Sequence, residues 1–284
     1  ETIVPLPLYE LTLPQATAAH TALLDLRPLP RSAVGDPKWE SIFPFDHFNP
    51  IQTQIFHTVY HSDDNVLVGA PTGSGKTVTA ELAVLRLARA HPGSKAVYIA
   101  PLKALVRERI HDWRAKFVSK LGFSLQELTG DVAPDSAALA RADILCTTPE
   151  KWDGVSRHWQ QRGYVRKVGL VIIDEIHLLG EERGPILEVI VSRMRYIATQ
   201  TQTHIRIVGL STAMANAGDL AEWLGIPDDS LFNFKPSVRP IPMEVHISGY
   251  PGKHYCPRMA AMNKPTYRAI LNHSPHKPTL VFVS

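Results

Sequence analysis

The sequence predicts an α/β protein built on a mostly parallel sheet with helices on both faces. Three observations carry this expectation. Short continuous apolar runs recur at 66–70, 96–100, 144–147, 170–174 and 205–210. Helical periodicity fills 77–90, 102–120, 185–198 and 216–224 between and after them. The runs do not alternate apolar with polar residues, as strands with one wet face would, so both faces are expected to be covered.

Composition agrees. The chain has 284 residues, 44% hydrophobic and 20% charged. That allows one large domain or two and excludes disorder as the main description. Two cysteines, Cys146 and Cys256, exclude a disulfide framework and fit a reducing compartment. The net charge of +3 permits a phosphate-rich partner without demanding one. The start has no basic, apolar leader pattern, and no stretch reaches the ~18 apolar residues of a membrane helix, so no membrane partner is expected. The first residue is Glu1, so the chain is expected to be a piece of something longer.

In order, residues 1–40 are interrupted by Pro5, Pro7, Pro14, Pro28, Pro30 and Pro37. They read as a linker with a short strand or two, one at 9–13. Residues 41–235 carry the strand–helix alternation of one ATP-binding domain. Pro236, Pro240 and Pro242 mark a crossing segment. A helix at 266–272 and a strand at 280–283 then open a second, incomplete domain over 236–284.

Between strand 66–70 and helix 77–90 stands Ala70-Pro71-Thr72-Gly73-Ser74-Gly75-Lys76-Thr77, a P-loop with alanine in place of its first glycine. Gly73 and Gly75 let the backbone approach a phosphate. With Thr72 and Ser74 they turn successive N–H groups and a helix N-terminus toward the anion. Lys76 is placed to reach the β- and γ-phosphates of ATP, and the Thr77 hydroxyl to hold Mg²⁺. The apolar strand 170–174 ends in Asp174-Glu175, two carboxylates at the edge where α/β sheets bind ligands. Asp174 is the second expected metal ligand. Glu175 is the expected base for the attacking water, and Lys76, Asp174 and Glu175 form the catalytic set. A charged helix N-cap is the plainer reading of Asp-Glu alone; the P-loop upstream disfavours it.

With Asp174-Glu175-Ile176-His177 and Ser211-Thr212-Ala213, the P-loop resembles the superfamily-two helicases. The resemblance implies a RecA-like P-loop NTPase and ATP-dependent unwinding of nucleic acid or ribonucleoprotein remodelling, with 3′-to-5′ translocation. Phe48-Asn49-Pro50-Ile51-Gln52 looks like the family's Q motif, in which Gln52 would read the adenine edge. His177, Ser211 and Thr212 would couple nucleotide state to nucleic acid; the family's order Ser-Ala-Thr is here Ser-Thr-Ala. Ala100-Pro101-Leu102-Lys103-Ala104-Leu105-Val106-Arg107-Glu108-Arg109, Leu128-Thr129-Gly130-Asp131 and Thr147-Thr148-Pro149-Glu150-Lys151-Trp152-Asp153 are similar to the nucleic-acid motifs of the Ski-two-like group. They make Pro101, Lys103, Arg107, Thr129, Gly130, Thr148, Pro149 and Lys151 the implied contacts to single-stranded RNA or DNA. Pro236-Ser237-Val238-Arg239-Pro240 resembles that group's crossing into its second RecA domain. The resemblance covers essentially the whole chain and is nearest the second cassette of the tandem-cassette members. It implies a subunit of a multiprotein complex of cointegrator or ribosome-quality-control type, in nucleus and cytoplasm. A catalytically weak scaffold of the spliceosomal tandem-cassette type and a P-loop ATPase acting on no nucleic acid remain the alternatives.

Charge placement points independently to a nucleic-acid track. Residues 101–120 hold six basic and two acidic side chains, and 151–167 hold five and one. Such runs favour phosphate contacts without sequence preference, although a solvated helix face explains any single residue equally well. His57 and His61 lack the glutamate of a zinc protease, and His254, Cys256, His273 and His276 fit no zinc spacing. Cys146 is expected in the core, as are Trp113, Trp152 and Trp159.

Overall fold

The computed structural model describes residues 20–180, 184–251 and 253–283, so the strand expected at 9–13 lies outside the described residues. The chain divides into two compact units between Pro242 and Met243.

In the first unit β1 (Val66–Gly69), β2 (Lys95–Ile99), β3 (Leu125–Leu128), β4 (Ile144–Thr147), β5 (Val168–Ile173), β6 (Arg206–Ser211) and β7 (Leu231–Asn233) form one sheet. Its order is β3-β4-β2-β5-β6-β1-β7, and every pairing is parallel. The helices are α1 (Pro37–Glu40), α2 (Pro50–His61), α3 (Lys76–Ala90), α4 (Lys103–Trp113), α5 (Ser136–Arg141), α6 (Pro149–Ser156), α7 (Gly163–Arg166), α8 (Gly184–Thr201) and α9 (Ala217–Leu224). Two separate cores lie against the two faces. Val66, Val68, Ala96, Tyr98, Ile144, Cys146, Leu170 and Ile172 point into one, with residues of α2, α3 and α4. Leu67, Val97, Ile99, Leu145, Val171, Ile173 and Ile207 point into the other, with residues of α6, α8 and α9. The expected parallel sheet, buried on both faces, is therefore present.

The unforeseen strands are β3 and β7, which form the two edges of the sheet. Leu125-Gln126-Glu127-Leu128 buries only its two leucines, and β7 has three residues, so neither shows a continuous apolar run. The helix expected over 102–120 is α4 continued as a π-helix, Arg114–Leu121, which ends at Gly122 in the left-handed region (φ 80°). Trp113 and Trp152 are fully buried, and Trp159 packs partly buried on the second core, as expected. Residues 20–40 lie against the sheet unit. Thr21 bridges Phe234, Pro30 bridges His47, and the Tyr60 hydroxyl donates to the Val34 carbonyl at 2.9 Å. Arg206, 3% exposed, donates to the carbonyls of Thr58, Val59 and Asp64 and so closes the C-terminal end of α2. Burial lowers its pKa to about 10.

In the second unit α10 (Tyr255–His273) runs through Pro265, so the helix is longer than the expected 266–272. All of its side chains are exposed or half-buried, which leaves room for the proline ring and the lost hydrogen bond. The strand expected at 280–283 is not formed among the described residues: a strand requires a partner, and none pairs with it there. Among the described residues no helix is long and apolar enough to cross a membrane, and no group of three or more His, Cys, Asp or Glu side chains is placed to hold a metal among themselves.

Candidate nucleotide site and strand cleft

The loop after β1 is shaped from below. Asn49 and Gln52 form a capping box at the start of α2, with Pro50 at its first position. The same two side chains reach the loop: Asn49 Nδ2 donates to the Ser74 carbonyl at 2.8 Å and Gln52 Nε2 to the Gly75 carbonyl at 3.3 Å. Gly75 has φ 83°, and a Cβ there would lie 2.3 Å from Gln52 Nε2. Gly73 shares that φ, and the Arg239 guanidinium is 3.7 Å from where its Cβ would be. The adenine-reading role implied for Gln52 thus falls on a buried side chain whose two polar ends are already occupied, by Asn49 N–H and by Gly75.

Lys76 Nζ donates to the carbonyls of Ala70 (2.8 Å) and Pro71 (3.4 Å). Among the described residues no carboxylate lies within ion-pair distance of it. Burial lowers its pKa, and the more distant charges of Glu175 and Asp174 oppose that shift. A half-buried ammonium held only by neutral oxygens in an open cleft suits an anion. The cleft, about 400 Å³, is lined by Thr72, Gly73, Gly75, Lys76, Thr77, Asp174 and Glu175, with Tyr98, Leu105, Glu108, Arg109 and Leu210 beside them. Ser74, 1% exposed, is not part of the lining. Gly75 (where a Cβ would collide with Gln52), an ammonium held only by neutral oxygens, and Thr77 and Asp174 lining the same cleft fit a nucleoside triphosphate with a divalent metal.

Asp174 follows β5 and hydrogen-bonds to both sides. Its backbone N–H donates to Ile99 O at 2.9 Å, its Oδ1 accepts the Glu175 N–H at 3.0 Å, and its Oδ2 accepts the Tyr98 hydroxyl. Glu175 has φ 54°, a left-handed conformation that costs a non-glycine residue ~1–2 kcal/mol. This turn redirects the chain from β5 into the short helix Ile176–Gly180. His177 Nδ1 then lies 3.4 Å from Glu175 Oε2 and 3.2 Å from the hydroxyl of Ser211, at the end of β6. Glu175, His177 and Ser211 are thus brought together; Thr212, half-buried, follows Ser211.

A second cleft, about 680 Å³, opens on the same edge of the sheet and is lined by Pro101, Leu102, Lys103, Ala104, Gly130, Thr148, Glu150 and Lys151. Three separated motifs therefore converge here, from the ends of β2, β3 and β4. Of the other implied contacts, Thr129 is fully buried and donates to Glu127 Oε1 at 2.9 Å, and Pro149 is buried at the first position of α6. Arg107 stands outside the lining. It and Lys103 are paired with Asp131 at 3.1 and 2.8 Å.

The basic run 101–120 is not one track, because helical geometry sends its side chains in different directions. Lys116 is bound to buried Glu81 at 2.7 Å, Lys120 donates to the Ser41 carbonyl, and Arg109 turns to the nucleotide cleft. Arg109 lies over the rings of Tyr98 (5.7 Å) and Trp113 (5.9 Å). Burial works against its charge, yet Tyr98, Asp174 and Glu81 hold its pKa above the ordinary value. Sequence reasoning placed Arg109 in a nucleic-acid motif and Arg239 in the crossing segment, not at this site, and it missed Tyr98, whose signal was a tyrosine inside an otherwise aliphatic run.

A model of the DEAD/DEAH box helicase family matches residues 49–220. The chain is 66% identical over 274 residues to activating signal cointegrator 1 complex subunit 3 of Gallus gallus, covering 96% of this chain and 12% of that protein. It is 65% identical over 284 residues to the DExH-box ATP-dependent RNA helicase DExH14 of Arabidopsis thaliana, covering 100% of this chain and 13% of that protein. The chain thus spans about an eighth of the length of these relatives. Among solved structures, the DUF1998 helicase MrfA matches with a TM-score of 0.65 at 19% identity, covering 84% of this chain and 37% of that one. Mss116p bound to ssRNA and AMP-PNP matches at 0.62 and 21% identity, covering 75% and 46%. These two likenesses show the RecA-like fold.

Proposed function

The chain belongs to the DEAD/DEAH box helicase family, and from that premise we propose that residues 41–242 are the first RecA-like domain of an ATP-dependent nucleic-acid helicase. On this reading residues 243–284 begin the second such domain. One observation carries the reading: two clefts on one sheet edge, one with the furniture of a nucleotide site and the other assembled from three separated motifs, share α4 as a common wall.

In the first cleft the loop amides of Gly73 to Lys76 and the Lys76 ammonium bind the phosphates of ATP. Thr77 and Asp174 are the residues that would hold Mg²⁺, which when bound neutralises phosphate charge. Glu175 takes the proton of the attacking water. His177, in reach of both Glu175 and Ser211, links that base to the end of β6. In the second cleft Lys103, Lys151 and the polar edges of Gly130 and Thr148 grip the backbone of single-stranded RNA or DNA without sequence preference. The intact Lys76, Asp174 and Glu175 disfavour a scaffold. The motif-built strand cleft disfavours an ATPase that ignores nucleic acid.

Unwinding requires two domains that close and open on one strand, so the larger chain performs it and this part supplies the nucleotide site. The name of one relative, a subunit of an activating signal cointegrator complex, supports a subunit of a multiprotein complex, and the resemblance alone suggests the cointegrator or ribosome-quality-control type. The original resemblance alone suggests work in nucleus and cytoplasm. The test is ATP turnover by the full-length protein with and without single-stranded RNA and DNA, beside a Lys76→Ala variant. Turnover stimulated by the strand and lowered by the substitution is expected. Unchanged turnover in Lys76→Ala refutes the nucleotide site, and absence of any strand effect refutes the second cleft.

A further inference from the structure

We infer that Tyr98 is a positioning residue of the nucleotide site: its hydroxyl holds Asp174 in the orientation that grips the divalent metal, and its ring is held in turn by Arg109 of α4. The inference rests on the nucleotide-site reading above and assigns a role to two residues that reading does not use.

Tyr98 belongs to β2 and pairs with Ile172 of β5, so its side chain leaves the sheet beside the chain segment that becomes Asp174. It is 1% exposed and packs edge-on against Trp113, with ring centroids 5.2 Å apart. A phenylalanine would fill that space without placing a hydroxyl in the interior, which costs free energy unless the group is bonded. Here the hydroxyl is bonded to Asp174 Oδ2. The other oxygen, Oδ1, accepts the Glu175 N–H, so the carboxylate is fixed from two sides in one rotation. Each carboxylate oxygen has two lone pairs, and these two bonds leave acceptor capacity for a cation.

Arg109 adds the connection to α4. Its guanidinium lies 5.7 Å from the Tyr98 ring centre and lines the nucleotide cleft, while its Nε is buried without a hydrogen-bond partner. Six residues earlier on α4, Lys103 lines the strand cleft. A displacement of α4 by a bound strand therefore reaches the Tyr98 ring through Arg109, and Asp174 through the Tyr98 hydroxyl. The helix itself joins Lys103 to Arg109, and the two links beyond it, Arg109 to Tyr98 and Tyr98 to Asp174, are contacts between side chains.

The test uses the full-length protein and a fluorescent ATP analogue titrated in EDTA and in Mg²⁺. The readout is the ratio of the two dissociation constants, the tightening conferred by the metal. For Tyr98→Phe the ratio is expected to fall about tenfold, matching loss of one hydrogen bond to a charged group at ~1.5 kcal/mol or slightly less. The dissociation constant in EDTA and the thermal midpoint should be unchanged, which separates loss of positioning from loss of folding. Arg109→Met, which keeps the stem over the ring, should lower the ratio in the same direction by a smaller factor. An unaltered ratio in Tyr98→Phe overturns the inference while leaving the nucleotide site intact. An unmutated protein that binds no nucleotide overturns the site reading and this inference with it.

Discussion

Gly75→Ala tests the most specific feature of the loop, its support by Gln52. The substitution has two separable costs. Alanine at φ 83° pays the left-handed penalty of ~1–2 kcal/mol. Its Cβ would also lie 2.3 Å from Gln52 Nε2, so the glutamine must retract. That loses its hydrogen bond to the Gly75 carbonyl, worth ~0.5–1.5 kcal/mol. Together the loop loses ~1.5–3.5 kcal/mol of preference for its anion-binding shape, a weakening of nucleotide affinity of roughly 10- to 400-fold. Gln52→Ala alone removes the hydrogen bond and should weaken binding about tenfold or less. The discriminating variant is the pair. With Gln52 already shortened nothing obstructs the new Cβ, so Gly75→Ala should then cost only its backbone term, about five- to thirtyfold. The assay is a fluorescent nucleotide titration of the four proteins. If Gly75→Ala costs the same factor in both backgrounds, Gln52 does not brace the loop and the reasoning fails.

Three further outcomes are expected. Glu175→Gln should hold ATP within about threefold of the unmutated affinity and stop turnover, because an amide cannot accept the proton of water; a collapse of nucleotide affinity in equilibrium binding would reassign Glu175 to structure. Asp131→Ala releases Lys103 and Arg107 from their exposed ion pairs and should tighten single-strand binding about three- to fivefold at low salt, an advantage that fades at high salt; weaker binding in a fluorescence anisotropy titration would make Asp131 part of the contact surface. Lys116→Met leaves Glu81, fully buried on α3, without its counter-charge and should cost ~3–5 kcal/mol near neutral pH in urea unfolding. Burial already raises the Glu81 pKa in the folded chain, and Lys116 only partly offsets this. The raised pKa means that the stability tied to Glu81 is fully present below the ordinary glutamate pKa and is lost as pH rises through the folded one, so the deficit should shrink as pH falls toward the ordinary glutamate range. A deficit constant with pH would contradict the sign of that shift.

The central strands were legible because their continuous apolar runs state a sheet buried on both faces, and the P-loop because its glycines admit few other uses. The strand cleft was legible only through resemblance. Nothing in Pro101, Gly130 or Thr148 taken singly announces that the ends of β2, β3 and β4 bring them together. What escaped has a common physical cause. Linear charge counting treats 101–120 as one surface, whereas a helix turns its residues by about 100° each. That rotation sends Lys103 to one cleft, Arg109 to the other and Lys116 into the interior against Glu81. The edge strands β3 and β7 escaped because one buries alternate residues and the other is too short to show a pattern. The strand at 280–283 was read from apolar residues alone, and apolar residues do not form a strand without a partner.

The sheet order itself divides the labour of the domain. From one edge, β3, β4 and β2 release the chain into the strand cleft through Gly130, Thr148 and Pro101. From β5 through β6 to β1 the chain enters the nucleotide cleft at Asp174, Leu210 and Thr72. The two halves meet at a single pairing, β2 with β5. That boundary is crossed at its functional edge by two bonds into Asp174: its N–H to the Ile99 carbonyl, and the Tyr98 hydroxyl to its carboxylate. The first is part of the backbone ladder and changes little without breaking the sheet. The second ends on a side chain whose ring is held by α4, the helix that walls both clefts. A motion small enough to leave the ladder intact can therefore alter the carboxylate but not the strands. On the proposed reading, the line between the two clefts that lies outside the backbone ladder runs through the side chains of Arg109, Tyr98 and Asp174.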